Sequence, residues 1–156
     1  SSQEFSLSFA GSLAEKIVAT SSINTKLPSI NWAYEQEVIN FLNDFLNNKT
    51  FLACRDVGQG GVATTLLKML VGKNWSGNFE SPSNLDQESF LFAEHSGGYL
   101  LALPQKDWPN EIAIPKTLKL TYVGEAKPDA SGSIRWGNLQ FDFQSLKSAE
   151  LNSLVF

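Results

Sequence analysis

Apolar and polar residues recur along the chain with two periods, and these periods predict its helices and strands. A spacing of two favours a strand over residues 1–11, whereas residues 12–20 suit a short helix and residues 21–29 a loop. The clearest helix is predicted from Asn31, whose side chain can cap the first turn, to about Asn47. Its predicted apolar stripe consists of Tyr34, Val38, Phe41, Leu42 and Phe45.

A strand and a helix are predicted on either side of a glycine-rich turn. Residues 50–54 form a short apolar run that fits a buried strand, and this run leads directly into residues 55–61. Gly72 stands where helices commonly end in a left-handed residue. The helix between the glycines and Gly72 has one predicted buried face, formed by Val62, Leu66, Met69 and Leu70.

The segment that follows this helix is predicted to be a loop, and two apolar runs come after it. Residues 75–89 are rich in Ser, Asn, Gly and Pro, and we expect a mobile surface loop there. The apolar runs 90–93 and 99–103 are separated by residues 94–98. They are either one strand with a glycine bulge or two strands joined by a tight turn.

The last third of the chain has mainly strand patterns. Alternation predicts a strand over residues 118–124 and a hairpin over residues 133–143, followed by a weak helix over residues 146–156. The order of all these elements predicts an α+β fold, in which helices pack on one face of a mixed sheet.

Composition narrows the class of protein. The chain has 156 residues, 12 Lys and Arg against 16 Asp and Glu, and a net charge of −4. We expect one domain over residues 1–156, in the cytoplasm, because no apolar stretch approaches a membrane span and no secretory leader is visible. The mild acidity and the absence of a Lys/Arg run argue against nucleic acid as a partner, so none is expected. The start at Ser1 and the single Met, Met69, indicate a piece cut from a longer chain.

The strongest candidate for chemistry is the run Asp56-Val57-Gly58-Gln59-Gly60-Gly61. A helix N-terminus stabilises an anion through its free N–H groups, and glycines let the backbone approach that anion closely. Asp56 would then bind a Mg²⁺ that bridges phosphates, or would hold the loop through backbone N–H groups. The run lacks the Lys and Ser/Thr of a Walker loop and the dinucleotide spacing. The alternative is a tight turn whose glycines permit close packing of the helix on the sheet.

A second candidate is the run Glu94-His95-Ser96-Gly97-Gly98. Glu94 and Ser96 are pocket candidates at a strand bulge, and the alternative is a solvated hairpin turn. The chain has one His and one Cys, which excludes an internal disulfide and a Cys/His zinc site. We interpret His95 as an exposed turn residue rather than a general base, and Cys54 as a small core residue rather than a nucleophile.

Both runs resemble motifs of the C-terminal domains of the AIR synthase-related family. Residues 52–72 resemble its H-D-V-S-D-G-G-L-A-x-A-L-x-E-M motif, and residues 91–97 its L-F-S-E-S-S-G-R run. Residues 122–126 are similar to its I-G-E-V segment and residues 10–14 to its G-G-S-E-Y segment. The matching positions of the first motif are Asp56, Val57, Gly60, Gly61, Ala63, Leu67 and Met69.

The resemblance implies an α+β domain that packs against a separate N-terminal ATP-binding domain of the same protein. Within the family, a purine-pathway ligase fits best: it activates an amide oxygen with ATP, and ammonia from a glutaminase subunit or domain displaces that oxygen. ATP and Mg²⁺ are expected in the full-length enzyme. This domain alone is expected to hold neither tightly, to supply no catalytic residue or metal ligand and to be inactive.

The resemblance also places the candidate residues. It implies a phosphate or substrate loop at the interface with the ATP-binding domain, with the pocket candidates Glu94 and Ser96 close by. The loop residues are Asp56, Gly58, Gly60 and Gly61.

Three positions depart from the family pattern, and they leave alternatives open. Arg55 replaces a His, Gln59 an acidic residue and Gly98 an Arg. The loss of a carboxylate at Gln59 and of a guanidinium at Gly98 argues against a direct metal or phosphate role at these two positions. One alternative is a scaffold domain whose loop only packs. The others are a domain of another ATP-using synthase or kinase of the superfamily, and a non-catalytic α+β interaction module.

Overall fold

A computed structural model describes most of the middle of the chain. The predicted strand over residues 1–11 lies outside the described residues, as do Gly72 and most of the elements predicted over 12–29 and 146–156. The described residues are 12, 29–48, 51–71, 73–94, 97–107, 113–129, 132–142, 144, 145 and 148.

The chain divides into two compact units. The first unit comprises Ser1–Thr65 and Glu88–Leu120, and the second comprises Leu66–Gln87 and Thr121–Phe156. The expectation of a single domain stays a prediction.

Helix α1 (Trp32–Asn48) belongs to the first unit and begins as its cap residue predicts. Asn31 Oδ1 accepts a 3.1 Å hydrogen bond from the Tyr34 N–H, which satisfies one of the free donors of the first turn. Phe41 stacks on Phe45 with ring centroids 5.6 Å apart. The apolar stripe predicted for α1 is confirmed: Val38, Leu42 and Phe45 are buried, and Tyr34 and Phe41 are half-buried.

The first unit also contains a two-stranded antiparallel sheet of β1 (Ala53–Asp56) and β3 (Tyr99–Ala102). Strand β1 begins later than predicted, and its burial was predicted wrongly, because Ala53 and Cys54 are only half-buried and its last two residues are exposed. The physical reason is that its last two residues are the charged Arg55 and Asp56, which favour solvent, and that the described residues add no third strand to this pair.

Helix α2 (Gly61–Val71) follows the glycines, as predicted, and its residues are divided between the two units. Val62, Leu66 and Leu70 are buried and Met69 is half-buried, so the predicted face is largely confirmed.

The second unit has a four-stranded mixed sheet in the order β4-β2-β5-β6. Strand β2 (Trp75–Phe79) runs antiparallel to β4 (Gly124–Pro128) and parallel to β5 (Ser133–Trp136). The predicted terminal hairpin is confirmed, since β5 pairs antiparallel with β6 (Leu139–Asp142).

The prediction of a loop over residues 75–89 is wrong, because this segment contains β2, an interior strand of the sheet. Ser76 and Gly77 are small residues that lie buried in β2 beside Phe79. The content of polar residues and glycine therefore wrongly predicted that this segment is exposed. Phe79 stacks on Trp136 at 5.6 Å, and Trp136 Nε1 donates a 2.9 Å hydrogen bond to Ser81 Oγ.

Two further strand predictions are wrong. Residues 90–93 belong mostly to helix α3 (Gln87–Phe92), whose six residues are too few to show a helical period. In place of the strand over 118–124, the chain turns where the Leu118 N–H donates to the Pro115 carbonyl at 3.0 Å, and β4 begins only at Gly124. A 3-10 turn at Gln105–Asp107 completes the described elements.

The helices and the mixed sheet confirm the α+β class. Packing of the helices on one face stays a prediction.

Candidate functional site

The glycine loop, residues 56–61, joins β1 to α2 as the sequence predicts. The Gly61 N–H donates to the Gly58 carbonyl at 3.0 Å, which closes a tight turn, and the Thr64 N–H reaches the Gly60 carbonyl at 3.5 Å. Gly60 and Gly61 have φ angles of 81° and 69°. Residues other than glycine rarely adopt these angles, so the path of the chain requires glycine at both positions.

The side chain of Glu94 lies at the start of α2. The Gly60 N–H donates a 2.9 Å hydrogen bond to Glu94 Oε1, and this contact is partly buried. A carboxylate at this place is stabilised both by the charge-assisted bond and by the partial positive charge of the helix N-terminus. The structure therefore joins the glycine loop and Glu94, two features that are separate in the sequence.

The loop also packs against the backbone that follows α3. A β-carbon at position 61 would lie 2.5 Å from the Leu91 carbonyl oxygen and 3.0 Å from that of Ala93. The Val57 N–H donates to the Gly98 carbonyl at 2.8 Å. The loop is thus fastened to residues 91–94 and to Gly98 by contacts at Val57, Gly60 and Gly61.

Asp56 and Gly58 differ from the two following glycines. A β-carbon at position 58 would meet only Asp56 Oδ2, at an ordinary 3.7 Å, so the space there does not require glycine. Asp56 is exposed. Asp56 and Gln59 are the exposed residues of the loop and Gly58 between them is half-buried, while Gly60 and Gly61 are buried and form its packed part.

Thr65 supports the loop, although the sequence pattern did not place it among the candidate residues. Its hydroxyl lies 3.0 Å from the Gly61 carbonyl and 3.4 Å from the Asp56 carbonyl, so it links the end of β1 to the first turn of α2. The available signal was a threonine placed four residues after a helix start, where hydroxyls commonly bond to the i−4 carbonyl.

Acidic groups influence the titration of two neighbouring side chains. Burial raises the pKa of the Cys54 thiol, and the Asp56 carboxylate raises it further. Burial also raises the pKa of Tyr99, and the carboxylates of Glu35 and Asp56 add to the effect. A raised thiol pKa leaves less thiolate, which agrees with the interpretation of Cys54 as no nucleophile, although Cys54 is half-buried rather than in the core.

Ser96 and His95 lie outside the described residues, so their roles stay predictions. Within the described ranges, no three His, Cys, Asp or Glu side chains are grouped so that they could hold a metal ion. None of the helices in the described part of the chain is long and apolar enough to cross a bilayer.

No family model matches the chain. Among curated proteins, it is similar to the phosphoribosylformylglycinamidine synthase subunit PurL of Helicobacter hepaticus (strain ATCC 51449 / 3B1), at 31% identity over 119 residues. It is also similar to the subunit of the same name from Beijerinckia indica subsp. indica, at 29% identity over 80 residues.

These matches cover 70% and 51% of the chain, but only 16% and 11% of the two relatives. The chain therefore corresponds to less than a fifth of the length of the curated relatives it matches. The matches support a relation to the phosphoribosylformylglycinamidine synthases.

Proposed function

We propose that the chain is a C-terminal, AIR synthase-related domain of phosphoribosylformylglycinamidine synthase. The observation that carries the proposal is the similarity to the Helicobacter hepaticus PurL subunit over 70% of the chain. The α+β fold and the strand, glycine loop and helix at residues 53–71 are compatible with such a domain.

The proposed reaction belongs to de novo purine biosynthesis. The enzyme transfers a phosphoryl group from ATP to the amide oxygen of formylglycinamide ribotide, and ammonia derived from glutamine then displaces that oxygen as phosphate. The products are formylglycinamidine ribotide, ADP and phosphate. A glutaminase subunit or domain supplies the ammonia.

Within this enzyme, we assign the binding of ATP and Mg²⁺ to an N-terminal ATP-binding domain of the same protein. We propose that this chain by itself holds neither ATP nor Mg²⁺ tightly. The chain's contribution is instead the shape of the glycine loop, which the bond from Gly60 to Glu94 and the packing of Gly61 against residues 91–93 maintain.

The exposed part of the loop is proposed to face the ATP-binding domain. Asp56 and Gln59 are both exposed there, so their side chains are accessible to a partner domain. Gly58 lies between them and has room for a β-carbon in this structure. A substitution at Gly58 that lowers activity without lowering stability would therefore report on the interface.

Genetic complementation tests the proposed function. The full-length gene that carries this chain is expressed in a bacterial strain without phosphoribosylformylglycinamidine synthase, on medium without purines. We expect growth. Absence of growth would overturn the proposal if the protein is detected in the cells together with its glutaminase, co-expressed where that is a separate subunit, and a known synthase restores growth in the same strain. The cytoplasmic location expected from the sequence stays a prediction.

A further inference from the structure

We infer that the Glu94 carboxylate is the resident anion of the α2 N-terminus and that it closes the glycine loop to inorganic phosphate and to phosphate groups of ligands. Glu94 Oε1 accepts the Gly60 N–H at 2.9 Å. This donor is one that a bound phosphate at a glycine loop would use. In this chain the donor is already engaged by a residue of the same unit.

Tethering gives Glu94 an advantage over a free anion. The carboxylate is attached to the same folded unit as the loop, so its bond to Gly60 costs no loss of overall translation and rotation. Its effective concentration at the site is set by the chain and reaches at least about the millimolar range typical of short flexible tethers. A free phosphate has to displace it against that concentration.

The surroundings of Gly61 also disfavour a second anion. The carbonyl oxygens of Leu91 and Ala93 lie 2.5 Å and 3.0 Å from the place of a β-carbon at position 61. Carbonyl oxygens accept hydrogen bonds and do not donate them, so this wall of the loop offers a second anion no donor beside the Gly60 N–H that Glu94 occupies.

Glu94 is therefore a positioning residue for the loop. This inference rests on the contacts within the first unit and does not depend on the proposed enzyme. A failure of the complementation test would leave it standing, and its own failure would leave the proposed function untouched.

The test follows the Gly60 amide resonance by ¹⁵N nuclear magnetic resonance in the full 156-residue chain. Inorganic phosphate is titrated against potassium chloride at equal ionic strength, in wild type, in Glu94→Ala and in the matched control Glu88→Gln, which changes an exposed glutamate of α3. We expect a saturable phosphate shift at Gly60 in Glu94→Ala and no such shift in wild type or the control. A saturable shift in wild type would overturn the inference, and so would a Glu94→Ala variant that does not respond.

A second variant keeps the inference testable if Glu94→Ala does not fold. Glu94→Gln retains an oxygen acceptor but loses the charge, so the Gly60 proton is expected to move upfield as its hydrogen bond weakens. The control should leave this resonance in place. An unchanged Gly60 resonance in Glu94→Gln would contradict the bond on which the inference rests.

Discussion

The backbone amide of Gly60 binds the side-chain carboxylate of Glu94, a residue 34 positions further along the chain. This bond makes one site of two segments that the sequence presents separately. One segment supplies a helix N-terminus and the other supplies the negative charge that stabilises it. The glycine loop is therefore a packed junction, and its exposed residues are at Asp56 and Gln59.

Two alanine substitutions distinguish the packed glycine from the half-buried one. Gly61→Ala is expected to lower the free energy of unfolding by about 2–5 kcal/mol, because it adds backbone strain at a positive φ and overpacks the loop. The matched change Gly58→Ala should stay within about 1 kcal/mol of wild type, since its β-carbon has room. Urea denaturation measures both. Equal effects of the two substitutions would contradict this division of the loop.

Cys54 is expected to react slowly with iodoacetamide. Its raised pKa, caused by burial and then by the Asp56 carboxylate, lowers the thiolate fraction at pH 8. Since it is the only cysteine, the rate of alkylation reports on it alone. We expect a lower rate in the folded chain than in urea, and a faster reaction in Asp56→Asn than in the control Glu80→Gln. A folded chain that reacts as fast as the unfolded one would refute this prediction.

Asp142 is expected to titrate below its ordinary value. The Ser145 hydroxyl donates to Asp142 Oδ2 at 2.6 Å and the Ser145 N–H to Oδ1 at 2.8 Å, and these bonds lower the pKa of the carboxyl group. A lowered pKa in the folded state means that the stabilisation is present above the ordinary value of 3.8 and is lost as the pH falls through the lower folded value.

Carboxyl ¹³C titration checks the Asp142 prediction. Ser145→Ala should raise the midpoint of Asp142 towards its ordinary value, because the hydroxyl bond is the largest cause of the shift. Ser148→Ala is the control, since that hydroxyl donates to the Gln144 carbonyl instead. The prediction is wrong if both variants leave the midpoint equally low or if wild type titrates at the ordinary value.

In the second unit, the hydrogen bond from the Trp136 indole to Ser81 is expected to contribute to stability. Ser81→Ala removes the acceptor of its 2.9 Å hydrogen bond, and Trp136 is only 2% exposed, so we expect a loss of about 1 kcal/mol in the free energy of unfolding. Ser83→Ala, at an exposed serine two positions away, should have almost no effect. Thermal unfolding followed by tryptophan fluorescence compares the two. A Ser81 variant as stable as the Ser83 variant would show that the bond adds nothing.

Local signals were sufficient for some elements of the fold. Asn31 and the apolar stripe on α1 are adjacent in sequence, so the cap and the helix could both be predicted. The terminal hairpin likewise depends on neighbouring residues. Strand β2 could not be predicted in this way, because its partners β4 and β5 lie about fifty residues downstream and its buried residues include Ser76 and Gly77. Long-range pairing, rather than intrinsic preference, makes it a strand.

In the candidate site too, the features that depend on neighbouring residues could be predicted and those that depend on distant residues could not. The strand-to-helix turn at the glycines could be predicted, since glycine marks a change in backbone direction. The bond from Gly60 to Glu94 could not, because it depends on how α3 and the backbone after it approach the loop. Gly61 packs against the Leu91 and Ala93 carbonyls. The choice between close packing of the helix on the sheet and phosphate binding at this turn stays open.

The central claim is that the chain is part of a phosphoribosylformylglycinamidine synthase, and the reaction itself tests it most directly. The full-length protein that carries the chain is purified and supplied with ATP, Mg²⁺ and ammonium, with and without formylglycinamide ribotide, and ADP and formylglycinamidine ribotide are measured together. We predict that both products form in equal amounts and only when the ribotide and ammonium are present. ADP release that does not depend on the ribotide, or no formylglycinamidine ribotide from folded protein, would contradict the claim.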